Sequence, residues 1–115
     1  MTRGINEKDW KLFRIRVPNW QEAYMEKLVE EYKVMLNGSA LASDKFWALW
    51  ERLKRDKRSP GVILEGMSRS TMRMHLFALL RLKIITIQDL DGFSEELREE
   101  LNFMVENWAW KQDEY

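Results

Sequence analysis

The chain has 115 residues, 45% of them hydrophobic and 33% charged, with one histidine and no cysteine. That length suits one domain over 1–115, and the composition is that of a folded globular chain rather than a disordered one. Nineteen Lys/Arg cancel nineteen Asp/Glu, and the missing cysteine excludes disulfides, thiolate catalysis and cysteine metal sites, fitting a reducing compartment. The opening residues lack the apolar core of a signal peptide. The longest uncharged run, from Val34 to Ser43, covers ten residues, whereas a membrane span needs roughly 20 apolar ones. A cytoplasmic, unanchored protein is expected.

The first predicted helix covers about 7–16, with Trp10, Phe13 and Val17 along one side. Pro18 is expected to end it and to open a second helix, where its missing N–H does no harm. That helix should reach about residue 36, because Trp20, Tyr24, Leu28, Tyr32 and Leu36 recur every four residues. Asn37-Gly38 supplies a left-handed closing residue. Ser43 reads as the cap of a third helix over 44–58, with Phe46, Leu49, Trp50 and Leu53 at helical spacing. Ser59-Pro60-Gly61 is a break, and 62–64 suit either a helical turn or a short extended piece.

Ser68 or Ser70 can cap the next helix, which should run to about 82 with Met72, Leu76, Leu79 and Leu80 facing inward. Thr86 followed by Asp89 resembles a capping box for a short helix that Gly92 ends. Ser94 caps the last helix, where Glu95 and Glu96 suit the positive end of the macrodipole. Its stripe is Leu97, Leu101, Met104, Val105 and Trp108. No stretch alternates as a strand does. The expected fold is therefore all-α, a compact single-domain bundle of five to six helices with little or no sheet.

Charge is unevenly placed along the chain. From Glu51 to Lys83 nine cations face three acids, a net of +6, and from Thr86 to Glu106 one cation faces seven acids, a net of −6. Such polarity bears on partners and association rather than on fold.

Residues 60–85 carry the most pattern-like stretch. Gly66, Met67, the Ser-rich start at 68–71, Met72, His75-Leu76 and Leu79-Leu80 follow in the order seen in the recognition half of helix-turn-helix DNA-binding proteins, which the segment resembles. That resemblance implies that Ser68, Arg69, Ser70, Thr71 and Arg73 face phosphates or base edges. The preceding run of Arg52, Lys54, Arg55, Lys57 and Arg58 would add sequence-blind phosphate contacts. The stretch departs from the pattern at Glu65, where an apolar residue is usual. The acidic helix starts after residue 86 also stand where a winged helix has its hairpin. An ordinary amphipathic helix with serine caps and solvated arginines accounts for the same residues.

The whole chain also resembles a group of small uncharacterised helical proteins, on Trp10, Trp20-Gln21, Asp44 to Trp47, Pro60-Gly61-Val62, Ser68-Arg69-Ser70, Ile85-Thr86, Asp89-Leu90 and Phe93-Ser94. That resemblance supplies no role.

Catalytic and metal chemistry find little footing. The one histidine, His75, stands three residues after Met72 on an apolar helix, with no second histidine at metal-ligand spacing. Glu95-Glu96 and Glu99-Glu100 are adjacent pairs, which point about 100° apart on a helix and do not converge. The five glycines are scattered, so no phosphate-cradling loop forms. No catalytic residue, metal, cofactor or small-molecule substrate is expected.

Six tryptophans are many for this length. Trp10, Trp20, Trp50 and Trp108 fall on stripes that core packing explains; Trp47 and Trp110 fit less well. Exposed tryptophan is enriched at protein–protein contacts. The leading expectation is a non-catalytic helical interaction protein, a homo-oligomer or accessory factor, with Trp47 and Trp110 at its interface. The alternative is a small DNA-binding regulator using Arg55, Arg58, Ser68, Arg69, Ser70, Thr71 and Arg73.

Overall fold

In the computed structural model the structure describes residues 6–113, with side chains described as far as Trp108. Every regular element in that range is helical: α1 (Glu7–Leu36), α2 (Ala42–Asp56), a 3-10 turn (Arg69–Thr71) leading into α3 (Met72–Arg81), a second 3-10 turn (Ile87–Leu90), and α4 (Glu95–Asp113). The all-α class holds. Four α-helices stand in that range where five to six were expected, because the two helices read on either side of Pro18 are one and the short helix read after Thr86 is a 3-10 turn.

Pro18 lies inside α1, exposed on its surface. A proline there removes one backbone hydrogen bond and crowds the preceding turn, at a cost of about 3 kcal/mol. Packing on both sides holds the helix together across it. Phe13 and Val17 before it are buried in the core, and after it Trp20 stacks on Phe93 at 6.3 Å between ring centroids. The next residue, Gln21, donates from Nε2 to the carbonyl of Pro60 at 3.1 Å.

The N-terminal half of α1, α3, the second 3-10 turn and the start of α4 surround one apolar core. Phe13, Leu76, Leu79, Leu90 and Leu101 are its largest fully enclosed side chains. Local hydrogen bonds close most of the helix ends around this core. Asn6 Oδ1 accepts from Lys8 and Asp9 N–H at the start of α1. Ser68 N–H donates to Thr71 Oγ1, and Thr86 N–H to Asp89 Oδ2 at 2.7 Å. Leu97 N–H donates to Ser94 Oγ at 3.3 Å, so the cap expected of Ser94 is in place. Helix α3 ends with Ile84 N–H on the Leu79 carbonyl and Lys83 N–H on that of Leu80, and Lys83 takes the left-handed conformation at φ 61°. That is the bond pattern of a Schellman motif, with a lysine where glycine is usual.

Two helix ends differ from expectation. At the close of α1, Asn37 stays right-handed at φ −87° and Gly38 does not take the left-handed conformation either. Helix α2 begins at Ala42 behind Leu41, which offers no side-chain acceptor, so Ser43 sits in the first turn rather than before it. The molecule is also not compact. Its radius of gyration is 17.3 Å and its extents are 62 × 36 × 23 Å, against roughly 13 Å for a compact chain of this length. The C-terminal half of α1 and all of α2 form a two-helix hairpin that lengthens the molecule beyond its core.

Candidate docking surface

The hairpin is locked from within by one carboxylate. Asp56, at the end of α2, is almost completely buried. It accepts from Tyr32 Oη at 2.6 Å, from Arg52 Nε at 3.2 Å and from Arg55 Nε at 3.2 Å. Arg52 also reaches Glu31 on α1 at 2.7 Å and lies over the Tyr32 ring. A negative charge at a helix C-terminus opposes the macrodipole, and these donors offset that. Burial pushes the Asp56 carboxyl up, but the Tyr32 and Arg55 hydrogen bonds and the neighbouring guanidinium charges outweigh it and hold the group below its ordinary value of 3.8. Burial, followed by the bond to Asp56, pushes the Tyr32 phenol up from 10.0 to about 12.

The face beside this lock is apolar and uncovered. On α2, Phe46 is 64% exposed, Trp47 60% and Trp50 50%, with Leu53 and, just before the helix, Leu41 also open. The Phe46 and Trp47 rings meet edge to face at 4.9 Å. On α1, Val29 and Leu36 are open too. Between the helices runs a groove of about 170 Å³, lined by Met25, Leu28, Val29 and Tyr32 from α1 and by Leu53 and Asp56 from α2, with Lys57 and Val62 from the chain that follows. The stripe of Phe46, Trp50 and Leu53 was expected to face the protein's own core. It faces outward, because α2 turns Arg52 and Asp56 toward α1 and no third helix among the described residues covers its other side.

Trp47 therefore lies on an exposed aromatic cluster; the side chain of Trp110 lies outside the described residues. Sequence reasoning missed Phe46, Trp50 and Leu53 as surface residues, since a helical stripe reads alike whether its own core or another molecule covers it. Trp47, off that stripe at 140° on the helix from Ala42 against about 20–80° for the others, was the one signal.

The residues named for DNA contact lie in two places. Arg55 and Arg58 are exposed at the far end of α2. The others gather at the start of α3, where most are held by the protein itself. Arg69 makes a two-point contact with Glu7 at 2.8 and 3.1 Å and lies over the Trp10 ring. The hydrogen bond from Arg69 holds the Glu7 carboxyl below its usual value. Arg73 is half-buried and bridges to Glu100 at 3.0 Å. Thr71 Oγ1 donates to the Gly66 carbonyl at 2.8 Å, and Ser68 lies within hydrogen-bond distance of both Ser70 and Thr71. The twelve residues between α2 and the first 3-10 turn contain no helix, whereas a helix-turn-helix joins its helices by three or four residues. The basic and acidic segments meet in part through Arg73 and Glu100 on adjacent helices.

His75 is half-buried, and its shielded Nε2 has no hydrogen-bond partner among the described residues. Among those residues no group of three or more His, Asp or Glu is placed to hold a metal ion. No described helix is long and apolar enough to cross a membrane. Comparison with family models, curated proteins and solved structures finds no match for this chain.

Proposed function

We propose that the chain is a non-catalytic interaction module that docks another protein surface through the aromatic face of α2. The observation that carries this reading is the uncovered cluster of Phe46, Trp47 and Trp50, three large rings on one short helix, each at least half exposed. Soluble proteins rarely leave contiguous apolar surface open unless something covers it, and aromatic side chains dominate the energetics of protein contacts. The cysteine-free composition favours a reducing compartment, so the cytoplasm is the proposed location.

The test is a photo-crosslinking residue, p-benzoylphenylalanine, in place of Trp47 in cells producing the full chain. A discrete protein adduct is expected, and it should disappear when Trp50→Glu and Leu53→Glu are added. Absence of any protein adduct refutes the reading.

The exposed cations Arg55 and Arg58, with Lys54 beside them, favour a second reading, a DNA-binding regulator. Engaging DNA through α3 would require Arg69 and Arg73 to leave Glu7 and Glu100. In that case duplex DNA is retarded at low salt, affinity falls steeply as salt rises, and Arg69→Glu with Arg73→Glu abolishes it in a folded protein. No retardation at low salt removes this reading.

A further inference from the structure

We propose that the aromatic face of the hairpin is covered by a second copy of this chain, hairpin against hairpin. The inference rests on the reading that this face docks a protein, and it names the partner.

The face has two chemically opposite edges. On the α1 side, Met25 and Val29 are bordered by Glu22, Glu26 and Glu30. On the α2 side the border is basic: Lys54, Arg55 and Arg58 stand together with Glu51 as the one acid among them. Lys54 Nζ lies 5.9 Å from the centre of the Trp50 ring, so the basic edge adjoins the aromatic strip directly. Lys54 is also bridged to Glu51, and Glu30 to Lys33, in exposed pairs, which are weak and readily exchanged.

An apolar strip with an acidic edge on one side and a basic edge on the other is complementary to itself. A two-fold axis running along the hairpin lays α1 of each copy over α2 of the other. The acidic edge then faces the basic edge twice, once on each side of the axis, as an isologous contact requires. A different protein would have to match both edges; a second copy supplies both by symmetry.

The area is adequate. Aromatic side chains offer roughly 150–250 Å² each, so three half-open rings contribute on the order of 300 Å² per copy. The open Val29, Leu36, Leu41 and Leu53 roughly double that, which brings two copies to about 1,200 Å², where specific interfaces begin. The product is a four-helix arrangement in which each two-helix layer gains the second layer it lacks.

The experiment is light scattering on the full chain across the micromolar range, with circular dichroism on every variant. The wild type should have the mass of two chains. Trp50→Glu with Leu53→Glu, both at exposed positions, should give the mass of one chain with unchanged helicity. Glu22→Lys with Glu26→Lys leaves the apolar strip intact but sets like charges against each other, and should weaken the dimer by roughly tenfold or more. Adding Lys54→Glu and Arg58→Glu to that variant should restore it.

A wild type that stays monomeric across the range overturns the inference. So does a dimer that survives Trp50→Glu with Leu53→Glu, or a charge exchange that restores nothing. If the purified chain is monomeric while the crosslinker at Trp47 still captures a different protein, the second-copy inference fails and the docking reading stands. If no protein is captured either, both fail.

Discussion

Two buried carboxylates do distinct work in this molecule. Asp9 accepts the Ser94 N–H at 2.7 Å and its hydroxyl at 2.6 Å, so a residue of the first helical turn caps the last helix from 85 positions away. It closes the core end of the fold. Removing it leaves the start of α4 short of an acceptor inside a buried contact. Asp9→Ala should therefore cost about 2–3 kcal/mol in denaturant unfolding, and Asp9→Asn, which keeps one acceptor, should cost less. Asp56 closes the hairpin instead, and its effect follows pH. Its carboxyl is held below 3.8 in the fold, so the stability it adds is present above that value and is lost as pH falls through the lower folded value. The Tyr32 phenol is raised to about 12; its contribution is whole below 10 and is lost between 10 and about 12. In an ultraviolet titration one of the three tyrosines should ionise near 12, and Asp56→Asn should move that transition downward. Three transitions near 10 would contradict the Tyr32–Asp56 bond.

At the scale of elements, hydrogen bonds between near neighbours set where helices stop. The end of α3 is the clearest case. The two carbonyls of Leu79 and Leu80 are satisfied only because the chain turns left-handed at Lys83. A residue with a Cβ pays roughly 1–2 kcal/mol for that conformation, and glycine does not. Lys83→Gly should raise the unfolding free energy by about 1 kcal/mol without changing the helix content, as denaturant midpoints will show. A loss of stability would mean that the lysine side chain has a role outside the cap. Pro18 makes the converse point, since contacts on both sides of it carry α1 through a position that local rules mark as an end.

The whole molecule is a core with an arm. The arm, α2 with the second half of α1, is joined by the Asp56 cluster and by few enclosed apolar side chains; Leu28 is its one buried aliphatic in α1. Regions with little enclosed apolar surface open first. Amide exchange in the monomeric variant Trp50→Glu with Leu53→Glu should therefore be faster over α2 than over α3. Small-angle scattering of the same variant should give a radius of gyration near the 17.3 Å of the Cα trace and well above the roughly 13 Å of a compact chain. A value near the lower figure would mean that the arm folds back onto the core.

Much of the local structure was legible in the residues themselves. The stripes of α3 and α4 place Met72, Leu76, Leu79, Leu97 and Leu101 in the core, and the caps at Ser68, Thr86 and Ser94 form where serine and threonine precede a helical run. These depend on partners three or four positions away, and such partners are visible in one dimension. What covers a stripe is not. Phe46, Trp50 and Leu53 repeat as regularly as any core residues, yet they are exposed because no other described helix packs over that face. Arg69 and Arg73 read as solvated cations because the acids that hold them, Glu7 and Glu100, stand 62 and 27 positions away. Periodicity determined that this chain is helical and which side of each helix is apolar. Only the tertiary structure decided which apolar sides meet one another, since burial depends on contacts between segments that the order of residues does not bring together.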